Sequence, residues 1–288
     1  MKSFAKNITE KLKQLELKYS VFLSNHSKIK RIVFPNDGIF SGRGDYSYEG
    51  LKNEAISIQD RLYKDFCKVF EIIEVLISDS SKEHIRAFKS NKTFIENSLL
   101  QNDMTFYKSI EEVEENGVKA IEDIIELILS LYPKTIVKPI LVVDTNSLYQ
   151  KHEIEDWTFD DFNEFEIIIT PSVLKDLDKH KVEHRNEEIR KKAIKIIKKL
   201  KEYRRRGKLI EGVTIIKGKI TLRTIAVEAN FDKTLKWLDS KNDDDRLIAE
   251  FLEIMKNLGN ASVHLVTSDI NLQNKCEAAD LSFIEPPL

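Results

Sequence analysis

The spacing of apolar residues changes once along the chain, near residue 135. Before that point the pattern is helical. Across residues 50–78, Leu62, Phe66, Val69, Phe70 and Ile73 recur at three- and four-residue intervals, as on one face of an amphipathic helix. Residues 106–133 repeat the pattern through Ile110, Val113, Val118, Ile121, Ile125 and Leu129. Gly117 interrupts this second tract, and a glycine inside a helix costs about 1 kcal/mol. Residues 33–50, rich in Gly, Asp and Ser, predict a loop. The Arg-Gly-Asp triplet inside it is read as coincidence.

After two prolines bracket a connector at 133–139, helical periodicity gives way to alternation of elements. Segments 140–144, 165–170, 212–228, 261–269 and 281–287 read as strands. Four of them are short, β-branched and nearly all apolar, which suits strands covered on both faces of a parallel sheet. Helical tracts at 172–181, 186–206, 243–258 and 270–280 lie between them. This order predicts an α/β sandwich over 136–288, preceded by an all-α accessory or regulatory domain over 1–135.

Composition narrows the function less than pattern does. The chain has 288 residues, 41% of them hydrophobic, enough for two ordinary domains. Its 46 basic and 48 acidic residues nearly balance, so only local clustering bears on a charged partner. Cys67 and Cys276 form no CxxC pair, which fits a reducing compartment without a thiolate metal site. No run of about 18 apolar residues is present, and the first twenty residues do not read as a signal peptide. The expectation is a cytoplasmic protein with no membrane partner.

The candidate chemistry lies in acids at strand–helix junctions. The apolar run Leu141–Val143 ends on Asp144, and the strand over 261–269 ends on Asp269. Asp176 falls on an early turn of the helix after the strand at 165–170, and Asp243, Asp244 and Asp245 open another helix. Each alone has an ordinary explanation as a loop residue, an N-cap or a charge favoured by the helix dipole. Together they occur where an open parallel sheet binds ligands, at the carboxyl ends of its strands. Four carboxylates in one crevice repel unless a cation joins them. All-oxygen ligands select Mg²⁺ or Mn²⁺, and two such ions suit phosphodiester hydrolysis.

These stretches resemble a PIN domain, a nuclease fold. "VVDTNSL" (142–148) resembles its opening strand and first acid, and "ITPSVLKDLDKHK" (169–181) its second motif. "NDDDRLIAEFL" (242–252) resembles the third acid with its apolar helix, and "VHLVTSDINLQNKCEAADLSFIEPP" (263–287) the closing part. The resemblance covers about 140–287 and is nearest to larger bacterial PIN-like proteins. It implies a three-layer α/β/α domain with a mostly parallel central sheet, and Mg²⁺- or Mn²⁺-dependent RNA cleavage leaving 5′-phosphate and 3′-hydroxyl ends. It implies one or two ions held by the catalytic acids Asp144, Asp176, Asp245 and Asp269, with Asn146, Ser268 and Asp244 as polar groups behind them. Asp245 is taken as the third ligand because Leu247, Ile248 and Ala249 follow it in the family's pattern, with Asp244 as the alternative register. The family often has Glu at the second position, where this chain has the shorter Asp176.

For the RNA substrate, residues 179–208 hold 14 Lys and Arg against 4 Glu. Ile189, Ala193, Ile196, Ile197 and Leu200 would be buried, leaving Arg190, Lys191, Lys195, Lys198, Lys199, Arg204 and Arg205 for phosphate contacts. The plain alternative is a solvated helix face. His180, His184 and His264 lack metal-ligand partners and read as surface or structural residues; Trp157 and Trp237 read as packing. Residues 1–135 carry no nucleotide loop or metalloprotease motif, and leave open a homodimer or a protein regulator. Three rival functions stand beside the ribonuclease: a phosphatase with Asp144 as nucleophile, disfavoured by Asn146 where a second Asp is wanted; an inactive PIN-fold binding or scaffold module; and a DNA or flap nuclease.

Overall fold

The computed structural model describes residues 2–31, 46–101, 107–133, 136–226 and 228–287. The chain divides into two compact units, Ala5–Pro133 and Lys134–Leu288, the second with Met1–Phe4. Most of the loop expected over 33–50, including its Arg-Gly-Asp triplet, lies outside the described residues.

Among the described residues the first unit has four helices, α1 (Phe4–His26), α2 (Asn53–Ile77), α3 (Lys82–Leu100) and α4 (Ile110–Leu131). A short antiparallel pair, β1 (Ile29–Arg31) and β2 (Tyr46–Tyr48), accompanies them. Three-residue strands are too short to carry a period. Every predicted apolar position of α2 is buried. Along α4, Val113, Ile121 and Ile125 of the expected stripe are buried, joined by Ile124 and Ile128, while Leu129 is 49% exposed. Gly117 is buried on the same face. A Cβ there would stand 2.1 Å from the Tyr19 hydroxyl, so the glycine lets α4 approach the buried Tyr19, whose hydroxyl shares a 2.7 Å hydrogen bond with Ser98.

The second unit runs β3 (Ile136–Val143), α5 (Thr145–Gln150), β4 (Phe165–Ile169), α6 (Pro171–Glu183), α7 (Glu187–Arg204), β5 (Val213–Ile216) and β6 (Ile220–Thr224). It continues through α8 (Asp243–Leu258), β7 (Ala261–Val266), α9 (Ile270–Ala278) and β8 (Phe283–Ile284). The six strands form one sheet in the order β5-β6-β4-β3-β7-β8. All neighbours pair in parallel except β5 and β6. All of β7 and four of the five residues of β4 are buried, as expected of strands covered on both faces. This is the predicted α/β fold after a helical region.

Two boundaries differ from expectation. β3 begins at Ile136 rather than 140, and its pairing with β7 shifts between Ile136 and Ile140. Pro139 lies in that irregular stretch, where its missing N–H breaks no regular ladder. Within segment 212–228 the chain forms a hairpin, β5 and β6, rather than one strand, turning at Gly218 with φ +71°, a conformation glycine adopts without strain. Because β3, β4 and β7 are parallel, their carboxyl ends meet at one edge, where α5, α6 and α9 begin.

Candidate active site

At that edge Asp144, Asp176, Asp243, Asp244 and Asp269 line a cavity of about 220 Å³, together with Asn146, Lys179 and His180. Asp144 is only 2% exposed. It caps α5 by accepting the Ser147 N–H at 2.6 Å on Oδ1. Its Oδ2 accepts the Thr267 hydroxyl at 2.6 Å, and the Asp269 N–H donates to that hydroxyl at 3.0 Å. Thr267 therefore ties the first acid to the loop carrying the last. Burial pushes the Asp144 carboxyl above its ordinary range, and the nearby Asp269 adds to the effect.

Asp269 caps α9, its Oδ1 accepting the N–H groups of Asn271 and Leu272 at 2.8 and 3.3 Å. Asp176 stands one turn into α6, with Thr145 Oγ1 donating to it at 3.4 Å. Burial, then Asp243, raises its carboxyl. The start of α6 is fixed from outside: Thr170 makes no side-chain cap, and both oxygens of the buried Glu250, on α8, accept the Ser172 N–H at 3.1 and 3.3 Å. The Ser172 hydroxyl adds a 2.5 Å bond to the same carboxylate.

The third acidic cluster is arranged differently from the expectation. Asp245 does not line the cavity. It is 7% exposed, accepts the Asp239 N–H at 2.9 Å and pairs with Lys275 at 2.7 Å through Oδ1, in a geometry that makes no hydrogen bond. Asp243 and Asp244 take the places on the wall. Asp244 accepts Asn271 Nδ2 at 2.6 Å and faces Lys275 at 3.4 Å. The helical repeat explains this: consecutive positions point about 100° apart, and Asp245 falls on the face that buries Leu247, Ile248 and Ala249.

Asn146 is on the wall, whereas Ser268 is not; its hydroxyl accepts Gln150 Nε2 at 2.5 Å. None of Arg190, Lys191, Lys195, Lys198, Lys199, Arg204 and Arg205 lines the cavity. Lys199 pairs with Glu155 at 2.8 Å, Lys191 with Glu187 at 2.9 Å, and the Arg190 guanidinium donates to the His184 carbonyl. Sequence reasoning missed Thr267, Lys179 and His180. The four-residue spacing from Asp176 to His180 was the available signal, since it places both on one helix face. His180 bonds the Tyr149 hydroxyl at 2.9 Å through Nδ1. His264 is structural as read, held between Ser262 and Ser282, with burial pushing it down to about 4. Trp157 is buried, but Trp237 is 44% exposed and so departs from the packing role.

Carboxylate oxygens are the donors a hard divalent cation takes, and the acids on this wall supply them beside Lys179 and His180. Burial, with a smaller contribution from neighbouring acids, raises the Asp144 and Asp176 carboxyls, and a bound cation would offset that cost of ionisation. Among the described residues, no three His, Cys, Asp or Glu stand close enough to share an ion as now arranged. The donor types thus fit the ion, and the side chains would have to draw together around it.

The mostly parallel sheet and the acids gathered at its carboxyl edge are the frame in which the family is recognised. The family model described as PIN domain matches residues 141–285, and the chain belongs to that family. PIN domains are in general metal-dependent nucleases acting on nucleic acids. No curated protein matches the chain. No helix among the described residues is long and apolar enough to cross a membrane.

Proposed function

We propose that the protein is a Mg²⁺- or Mn²⁺-dependent endoribonuclease that hydrolyses single-stranded RNA, with Asp144, Asp176, Asp244 and Asp269 as the acids that hold the metal. The observation that carries this reading is the meeting in one cavity of five carboxylates from four separate places in the chain, two of them adjacent on α8. Asp244 replaces Asp245 in the set because it faces the cavity. A bound divalent cation would supply charge neutralisation and activation of water for attack on phosphorus. The chain's own contribution is orientation. Thr267 and the Ser147 N–H hold Asp144, Glu250 fixes the start of the helix bearing Asp176, and Lys179 and His180 offer donors for phosphate oxygens on the same wall.

A second reading, binding without cleavage, draws on Asp144, since protein groups already use both of its oxygens. One experiment separates the two. Labelled single-stranded RNA and DNA are incubated with the purified chain in Mn²⁺, Mg²⁺ or EDTA, beside Asp144→Asn. Metal-dependent RNA cutting lost in the variant supports the ribonuclease. Metal binding with neither nucleic acid cut overturns it in favour of a binding module, and preferred cutting of DNA reassigns the substrate.

A further inference from the structure

A second cavity of about 240 Å³ adjoins the acidic one and shares Ser172 with it. Its charged lining includes Lys175, Lys241 and Arg246. We propose that this cavity is a phosphate subsite for the single-stranded RNA, which rests on the ribonuclease reading above. A strand whose scissile phosphate sits among five carboxylates must bring its next phosphate close to them as well. That neighbour is stabilised only where cations stand beside the acids, and basic side chains on phosphates position a strand without reading its bases.

The geometry meets this need. Lys175 precedes Asp176 in the chain, and Lys179, one turn on, is on the acidic wall, so α6 presents cation, acid and cation along the boundary. Arg246 is fixed there: Nε donates to the Ser240 carbonyl at 2.6 Å and Nη1 to Asp243 at 3.2 Å. Lys175 and Lys241 make no ion pair among the described residues. Two acids also line the cavity, Glu228 and Glu250. Both oxygens of Glu250 are turned to Ser172, and burial favours its neutral form. Glu228 is exposed to solvent. The ligand is a nucleic-acid phosphate, either an internal phosphodiester or a 5′-terminal monophosphate.

The test uses the full chain in the Asp144→Asn background, so that binding is read without cutting. The probes are one single-stranded RNA oligomer, fluorescein-labelled at its 3′ end, in 5′-hydroxyl and 5′-phosphate forms. Fluorescence anisotropy across a salt series is compared between this background and the same protein carrying Lys175→Ala and Lys241→Ala. Removing two phosphate contacts is expected to raise Kd about tenfold and to reduce the slope of log K against log salt by about 1–2. Equal loss for both probes identifies an internal phosphate; loss confined to the 5′-phosphate probe identifies a terminal one. Lys191→Ala with Lys198→Ala on α7 is the control and should move neither quantity as far. Unchanged Kd and slope in the Lys175/Lys241 variant overturn the subsite, as does RNA that does not bind the background protein at all. A subsite that passes while the wild type cuts nothing leaves phosphate binding standing and removes the ribonuclease. Wild-type cutting with Kd unmoved by the variant does the reverse.

Discussion

The two units bury different kinds of side chain. Among the described residues, the buried polar groups of the helical unit are Thr9, Ser27 and Ser98, all uncharged. The second unit buries Asp144, Asp245 and Glu250, with Thr145, Ser147, Thr170 and Thr267 around them. Burying a carboxylate is costly unless it is hydrogen-bonded or paired, so a core built only for stability has no reason to gather three. The helical unit is read as packing. Of the three, Asp144 lines the cavity at the sheet edge that carries the proposed chemistry, and there stability is expected to be traded for charge.

The sharpest way to break this contrast is Asp144→Asn. Cleavage should fall by more than about a hundredfold, beyond the 10–100-fold typical of groups behind a metal ligand. Stability at neutral pH should rise by about 2–4 °C in Tm, the shift of roughly 1 kcal/mol in a unit of this size. The sign follows from burial. The folded-state carboxyls of Asp144, Asp176 and Glu250 lie above their ordinary values, so the folded state binds protons more tightly than the unfolded. The stabilisation this gives is complete below the ordinary carboxylate range and is lost as pH rises through the raised values. The asparagine variant should show a flatter stability–pH curve; a lower Tm at neutral pH would remove the idea of stability traded for charge. Thr267→Val comes next. It should cost about 10–100-fold in kcat or metal affinity with little change in far-UV circular dichroism, and unchanged kinetics would show that Asp144 needs no second anchor.

The helical unit should respond to volume instead. Gly117→Ala, which helix propensity alone would favour by about 1 kcal/mol, places a methyl 2.1 Å from the Tyr19 hydroxyl. Overpacking of this kind costs about 1–3 kcal/mol, so urea unfolding should show a net loss, and a gain would mean that Tyr19 moves aside freely. The smallest effect is expected at the exposed Lys191–Glu187 pair. A double-mutant cycle there should return about 0.2–1 kcal/mol, falling with added salt.

Much of this was legible in the chain. The change from a 3.6-residue period to short apolar runs marks the start of the second unit, and Asp144, Asp176 and Asp269 reach the cavity as their junction positions implied. The third acid shows where local reasoning stops. Matching "DDDRLIA" to a pattern selects Asp245, but the rotation of α8 and the reach of Lys275 turn that carboxylate inward and leave Asp244 on the wall. His180, set aside for want of a metal partner, is on the wall because α6 carries it there with Asp176. The long basic run along α7 drew attention by composition, yet the cations bordering the acids come from α6 and from the region around the start of α8.

The sequence by itself determined most elements of the second unit, its mostly parallel sheet and the placing of acids at strand–helix junctions. Apolar periodicity and strand–helix alternation depend on neighbours a few residues apart, and the chain states those directly. Only the tertiary structure decided which of three consecutive aspartates faces the cavity, that Thr267 bridges Asp144 and the Asp269 backbone, that Glu250 caps a helix other than its own, and that Gly117 is the seat of Tyr19. Each depends on the rotation of one element against another far away in the chain, which local spacing does not encode.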